Sequence, residues 1–159
     1  MSRVITMIPA RMASSRLPNK ILLDVNGKSV LQRVYENVKA VIEGDVVIAA
    51  GDKEIVEEAK KFGAQAVLTD ASLPSGTDRI AAALKELDPN GTKYDIVVDF
   101  QGDGINVDPK INLDLIEMIE RTDCDIATCG MKFRKETDVT DPSMVKICMG
   151  LRDGEDEGR

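Results

Sequence analysis

The sequence contains no histidine among its 159 residues, and this absence limits the chemistry that the chain can perform. It excludes Ser-His and Cys-His nucleophilic pairs, and it excludes a metal ion held by imidazole. Any catalysis must therefore rely on carboxylates, cations, amides and a bound ion.

Cysteine is also scarce. Cys124, Cys129 and Cys148 are odd in number and have no CxxC spacing. Neither a disulfide framework nor a zinc site is predicted from this pattern. We expect the three thiols to be small buried hydrophobic groups, as free cysteines usually are.

The chain lacks any apolar run near the roughly 18 residues of a membrane span, and Pro9 and Arg11 interrupt the first apolar segment directly after Ile8. The sequence therefore predicts a cytoplasmic location and no membrane partner. The net charge of −7 repels polyanions, so a general nucleic-acid partner is not expected either. A local basic cluster is more informative in such an acidic protein.

Short apolar runs alternate with helical patterns along the whole chain. Strands are predicted at 3–8, 45–50, 65–69, 95–100, 125–130 and 144–149, and helices at 28–42, 53–62, 77–87 and 109–121. Asp52 and Gly63 flank the second helix, and Asp108 with Pro109 opens the fourth. The alternation predicts a three-layer α/β fold, with a mostly parallel sheet and helices on both faces.

Ligands of such sheets bind beyond the carboxyl ends of the strands. The loops at these ends should therefore carry the chemistry, and they are 9–20, 51–52, 70–79 and 101–108. Asp52 is a weak site candidate, because capping a helix is sufficient to explain it.

The first loop reads PARMASSRLPNK and places Arg11, Arg16 and Lys20 in a segment without acids. Pro9 and Pro18 stiffen it, which lowers the entropy lost when the cations close on a phosphate chain. Arginine forks and a lysine point charge together suit a triphosphate. The alternative is a solvated basic loop, and neither GxxxxGK[ST] nor GxGxxG occurs in the chain.

The third loop contains LPSGTDR, residues 73–79. Ser75 and Gly76 allow backbone amides to approach a ligand closely, and Thr77 or Asp78 can cap the helix that begins there. Helix N-termini also accept ligand oxygens, so capping and binding are compatible.

The fourth loop contains DFQGDG, residues 99–104. Asp99 lies within the strand pattern, and Asp103 follows the turn at Gly102. A carboxylate at the end of a strand, near a triphosphate, is a natural Mg²⁺ ligand. The alternative is an aspartate that only forms the turn.

Taken together, IPARMASSRLPNKIL, SGTDRIA and VVDFQGD resemble the CMP-Kdo synthetases, which activate 3-deoxy-manno-octulosonate (Kdo) with CTP. The likeness covers residues 3 to about 149, including DPSMVKI at 141–147. The family has a nucleotide-diphospho-sugar transferase-like fold and works in lipopolysaccharide synthesis.

The resemblance implies a role for each matching residue. Arg11, Arg16 and Lys20 would hold the CTP phosphates, and Gln101 would lie between nucleotide and sugar. Asp103 would bind Mg²⁺. The catalytic set implied is Arg16, Lys20, Gln101 and Asp103, and the CTP-binding set is Pro9, Ala10, Arg11, Ser14, Arg16, Lys20, Ser75, Gly76, Arg79 and Gln101.

The implied partners are CTP and an acidic eight-carbon sugar, either Kdo or its 8-amino analogue, with a homodimer for a full-length chain. Two features depart from the family. Gly104-Ile105 replaces the usual Glu-Pro, which should loosen the loop beside the proposed metal ligand. Residues 1–149 form the expected nucleotide-binding domain, and 150–159 form a polar tail where the sugar-binding half would begin, so the chain looks truncated.

Two alternatives to the complete enzyme follow. One is a nucleotide-binding module without catalytic activity, and the other is a related sugar nucleotidyltransferase that uses another nucleoside triphosphate. The second stays open because a basic clamp reads phosphates and not bases.

Overall fold

A computed structural model describes residues 2–13, 17–122, 124–133, 140–142 and 144–147. The strands are β1 (Val4–Ala10), β2 (Asp24–Val25), β3 (Lys28–Ser29), β4 (Asp45–Ala50), β5 (Gln65–Leu68) and β6 (Ile96–Asp99). The helices are α1 (Val30–Lys39), α2 (Lys53–Lys61), α3 (Gly76–Leu87) and α4 (Ile111–Arg121), and a 3-10 turn covers Lys20–Leu22.

The main sheet has four parallel strands in the order β5-β4-β1-β6. The chain moves from β1 outward to β4 and β5, and then returns to the opposite side of β1 to form β6. Because parallel crossovers are right-handed, this reversal of direction moves the connecting helix to the other face of the sheet.

The two faces of the sheet carry separate apolar clusters. Ile8 and Ala10 of β1 pack with side chains of α1 and α2, whereas Ile5 and Met7 of the same strand pack with Ile80 and Ala83 of α3. Burial on both faces explains why β1 and β4 are nearly continuous apolar runs. The predicted three-layer fold is confirmed.

The element bounds follow the sequence patterns except at the last two predicted strands and at the first helix, which spans Val30–Lys39 instead of 28–42. No strand is present among the described residues of 125–130 and 144–149, so the predicted fifth and sixth strands are wrong there; 148 and 149 lie outside the described residues. Ile126 and Val145 are 84% and 89% exposed, so these apolar residues have no layer against which to pack. The predicted tail at 150–159 also lies outside the described residues.

The first helix begins at Val30, two residues later than predicted, because Lys28 and Ser29 pair with Asp24 and Val25 in an antiparallel hairpin. The turn of this hairpin is Asn26-Gly27, and both residues have positive φ angles of 52° and 81°. Asn-Gly favours this turn because both positions require φ above zero. Ser29 then caps α1 by accepting a hydrogen bond from the Gln32 N–H.

The predicted burial of the cysteines is wrong for both described thiols. Cys129 is exposed and Cys124 is only half-buried, and both lie in the segment after α4. Cys148 lies outside the described residues. In the part of the chain that the structure describes, no helix is long and apolar enough to cross a membrane.

Candidate nucleotide site

A cavity of about 360 Å³ opens at the carboxyl ends of β1 and β6 and the N-terminus of α3. Its walls come from the first, third and fourth loops of the sequence. The lining residues are Pro9, Ala10, Arg11, Ala13, Leu17, Lys20, Ile21, Gly76, Arg79, Gln101, Gly102 and Asp103.

The position of the cavity follows from the strand order. β1 lies between β4 and β6, and the chain direction reverses between β1 and β6. Loops that leave neighbouring strands in opposite directions separate and leave a crevice at the carboxyl edge. The prediction that the loops meet at this edge is therefore confirmed for the first, third and fourth loops, which line one cavity.

A carboxylate of the second loop, that of Asp52, fixes the start of the first loop. The Met12 N–H donates to Asp52 Oδ2 at 2.8 Å. Asp52 stands at the N-cap position of α2, but its side chain makes no capping hydrogen bond. The prediction that capping explains Asp52 is therefore wrong, because its carboxylate holds the backbone next to Arg11.

Lys20, at the other end of the first loop, contacts the fourth loop. Asn19 adopts a left-handed conformation with φ 58°, and the chain then forms the turn Lys20–Leu22. The Lys20 ammonium donates to Asp103 Oδ2, and both side chains are about half exposed. Ser14 and Arg16, also predicted for the site, lie outside the described residues.

The third loop contributes the N-terminus of α3. Ser75 caps the helix by accepting a hydrogen bond from the Asp78 N–H at 3.1 Å, so Ser75 is the capping residue and neither Thr77 nor Asp78 is. Ser75 is exposed and lies outside the set that lines the cavity. Gly76 lines it, and a Cβ at that position would lie 3.3 Å from Cγ of Pro9.

Arg79, on the first turn of α3, is a buried cation that is 1% exposed. Its Nη1 donates to Thr69 Oγ1 at 2.6 Å and to the Asp70 carbonyl at 3.0 Å. Burial lowers the pKa of Arg79, and the nearby charge of Asp52 opposes that shift. The guanidinium nevertheless stays charged at neutral pH, because arginine ionises far above it.

The fourth loop approaches the first without space for a side chain between them. A Cβ at Gly102 would lie 2.7 Å from the Pro9 carbonyl oxygen, closer than real Cβ atoms come. Gly102 is thus needed for the close approach of two backbones. The backbone of 101–107 has turn hydrogen bonds from Gly104 N–H to Gln101 O at 2.9 Å and from Val107 N–H to Gly104 O at 3.1 Å. The expected loosening at Gly104 stays a prediction.

Gln101 lines the cavity and donates from Nε2 to Asp99 Oδ1 at 2.8 Å. Burial raises the pKa of Asp99, and the hydrogen bond from Gln101 acts in the opposite direction. The amide of Gln101 is therefore oriented by its neighbour, with its own carbonyl oxygen left to face another group.

The cavity offers few side chains that could act as ligands of a metal ion. Among the described residues, no group of three or more His, Cys, Asp or Glu could hold one. Asp103 is the one carboxylate among the lining residues. Mg²⁺ commonly uses one or two carboxylates together with substrate phosphates and water, so these residues fit an ion that arrives with a nucleotide.

Sequence reasoning missed several residues here. Leu17 and Ile21 line the cavity although they read as ordinary apolar positions. Thr69 contacts Arg79 but follows a strand and belongs to no motif. Only the position of Thr69 could have identified it as a site residue, because it directly follows β5 at the carboxyl edge of the sheet, where ligands bind.

The family of this chain follows from its similarity to known proteins. A family profile described as "Cytidylyltransferase" matches residues 5–154, nearly the whole chain. The chain belongs to the cytidylyltransferase family. The family thus agrees with the resemblance carried by the first, third and fourth loops.

Curated relatives of this chain are named 3-deoxy-manno-octulosonate cytidylyltransferase. The protein from Rhodospirillum rubrum is 37% identical over 156 residues, which cover 98% of this chain and 62% of the relative. That from Brucella anthropi is 41% identical over 145 residues, which cover 91% of this chain and 58% of the relative. The chain thus spans about 60% of the length of these relatives.

A solved structure of CMP:2-keto-3-deoxy-manno-octonic acid synthetase complexed with CTP is also similar. It is 33% identical, with a TM-score of 0.68, and the match covers 75% of this chain and 48% of that one. The similarity therefore extends from the sequence to the fold.

Proposed function

We propose that the chain acts in the transfer of CMP from CTP to the anomeric hydroxyl of 3-deoxy-manno-octulosonate or its 8-amino analogue. The observation that carries this proposal is the cavity at the β1–β6 crevice, where Arg11, Lys20 and Arg79 lie together in a protein of net charge −7. Cations that line a cavity in an acidic protein favour the binding of a small polyanion over the binding of a polymer. The solved relative that resembles this chain is in complex with CTP.

The phosphates are assigned to the first loop. Arg11 is exposed and Lys20 is bonded to Asp103 of the fourth loop, and both residues line the cavity. A guanidinium fork and an ammonium can together neutralise the charge that a triphosphate brings. Arg16 and Ser14 belong to the same proposed set through the motif.

The cytidine is assigned to the backbone at Pro9 and Ala10, to Gly76 and to Arg79, which all line the cavity. Ser75 contributes by capping α3, because the cap holds the helix N-terminus beside Pro9. Gln101 is held by Asp99 and lines the same cavity, and we assign it a place between the nucleotide and the sugar.

In the proposed reaction the anomeric oxygen of the sugar attacks the α-phosphorus of CTP. The bond between that phosphorus and the oxygen bridging to the β-phosphate breaks, pyrophosphate leaves and the hydroxyl proton is lost. The protein's residues orient the two reactants and stabilise the charge on the phosphate oxygens, which is the main requirement of such transfers. This chemistry needs no histidine.

Mg²⁺ is the proposed cofactor, and Asp103 would hold it together with the phosphate oxygens. When bound, the ion would neutralise charge on the phosphates. A cytoplasmic location, a homodimer for a full-length chain and a role in lipopolysaccharide synthesis also stay predictions.

The second candidate is a nucleotide-binding module without turnover, and the single carboxylate of the cavity favours it. Pyrophosphate release from CTP and Kdo separates the two candidates. We expect no release by the 159-residue chain, and release by this chain extended with the C-terminal part of the Rhodospirillum rubrum relative. Asp103→Asn should abolish release in the extended protein.

Binding of CTP without release by the extended protein would favour the module. Failure of both proteins to bind CTP in equilibrium dialysis would overturn both candidates. Equal release with CTP and UTP would favour a transferase of another base specificity.

A further inference from the structure

Arg79 is a buried cation that contacts no carboxylate among the residues that the structure describes. Its Nη1 has two acceptors, the hydroxyl of Thr69 and the carbonyl of Asp70. Its Nη2 is buried and has no hydrogen-bond partner among the described residues. A buried guanidinium donor without an acceptor costs free energy, so the fold alone does not account for its placement beside the cavity.

Thr69 holds this guanidinium through a fixed hydroxyl. Its Oγ1 accepts from Arg79 Nη1 at 2.6 Å and donates to the Ala50 carbonyl at 2.8 Å. A hydroxyl that donates its only proton to a backbone carbonyl must offer a lone pair to other donors. The Ala50 carbonyl is itself fixed, because it lies at the end of β4 in the centre of the sheet.

We propose that Thr69 is a positioning residue, which holds the Arg79 guanidinium in the wall of the cavity so that its charge acts on the bound nucleotide. This inference rests on the proposed function, since the nucleotide is the anion that the charge of Arg79 would stabilise. A cation that is already fixed in place needs no reorganisation when the ligand binds.

The geometry distinguishes this role from a role in folding. In Thr69→Val the Ala50 carbonyl keeps the hydrogen bond from the Thr69 backbone N–H at 2.8 Å, and Arg79 keeps the Asp70 carbonyl. The variant therefore removes one bond to the guanidinium and leaves the end of the sheet paired. Thr69→Ser retains the hydroxyl and serves as the conservative variant.

Thr6→Val provides a matched control. Thr6 is fully buried in β1, and its hydroxyl has no hydrogen-bond partner among the described residues. The change is the same in shape and polarity as Thr69→Val but lies away from the cavity. It should alter neither the arginine signals nor nucleotide affinity.

The first experiment needs no ligand. Proton exchange at the Arg79 guanidinium is measured by ¹⁵N NMR, with the signal assigned by its loss in Arg79→Lys. We expect exchange to accelerate by roughly tenfold in Thr69→Val and to stay within about twofold of wild type in Thr69→Ser and Thr6→Val. Equal exchange in wild type and Thr69→Val would overturn the positioning role.

The second experiment measures CTP affinity by calorimetry. Thr69→Val should raise the dissociation constant by roughly tenfold in the wild-type background, and by less than about twofold in an Arg79→Ala background, because a positioning residue acts through its partner. Equal losses in both backgrounds would overturn the inference. If wild type binds no CTP, the proposed function fails, while the exchange measurement still decides whether Thr69 holds Arg79.

Discussion

Lys20 and Asp103, 83 residues apart in the chain, form an ion pair in the lining of the cavity. One is the proposed phosphate ligand and the other the proposed metal ligand. Each therefore neutralises the other before a nucleotide and its Mg²⁺ enter. Because both side chains are about half exposed, the pair is weak and can exchange partners at small cost.

Because of this pair, Asp103→Asn is predicted to raise the affinity for CTP, although it removes a residue of the proposed site. In EDTA, without Mg²⁺, the variant should bind CTP up to about fivefold more tightly than wild type, because Lys20 no longer has a competing counter-ion. With Mg²⁺ present the gain should shrink, since the metal loses its protein ligand. Calorimetry in both buffers checks this, and weaker binding by the variant in EDTA would contradict it.

Lys20→Ala should weaken CTP binding more than CMP binding. A charge-assisted bond to a phosphate contributes about 1.5–3 kcal/mol, and CMP lacks the outer phosphates that Lys20 is proposed to reach. Lys60→Ala is the control, because Lys60 pairs with Glu57 on the exposed side of α2. Equal losses of CTP and CMP affinity in Lys20→Ala would indicate damage to the loop's structure instead.

Gly102→Ala should be more destabilising than Gly104→Ala. The added Cβ would lie 2.7 Å from a backbone oxygen at 102, but 3.1 Å from one at 104. Forcing β1 and the fourth loop apart should cost about 1–3 kcal/mol, which is typical of overpacking. Urea unfolding of both variants measures the difference, and an equal or reversed order would show that these loops are not in close contact.

The Arg3–Asp95 pair should make stability depend on acid pH. Hydrogen bonds from Arg3 lower the pKa of Asp95 from 3.8 to about 2. A carboxylate with a depressed folded-state pKa stabilises the protein above its unfolded pKa, and this contribution is lost as the pH falls through the folded value. The loss should therefore occur between about pH 4 and pH 2.

An NMR titration of the Asp95 carboxyl carbon checks this. The midpoint should rise toward the ordinary aspartate value in Arg3→Ala, and it should rise partly in high salt, since the pair is exposed. A midpoint in wild type that equals the one in Arg3→Ala would refute the pairing.

Much of the fold could be predicted because its strongest signal is local. The runs at β1 and β4 are apolar throughout because helices cover both faces, and a continuous short apolar run indicates such a strand. The rule that ligands bind at the carboxyl ends of parallel strands then placed the first, third and fourth loops together. The cavity lined by Pro9, Gly76 and Gln101 agrees with that placement.

The failures also have physical reasons. Apolar residues near 126 and 145 read as strands, but a strand needs a pairing edge and a covering layer, and neither can be read from a short run. Asp52 reads as a helix cap because capping is local, whereas its actual partner, the Met12 N–H, is 40 residues away. The contact of Thr69 with Arg79 depends in the same way on tertiary structure.

The central claim is that this cavity recognises a cytidine nucleotide, and a calorimetric titration of the 159-residue chain with CTP and UTP tests it most directly. Uracil reverses the donor and acceptor pattern of cytosine at N3 and at the adjacent exocyclic group, so mismatched donors and acceptors would be left unpaired. We predict that CTP binds at least about tenfold more tightly than UTP, and that Arg79→Ala reduces this ratio. Equal dissociation constants for CTP and UTP would contradict the claim.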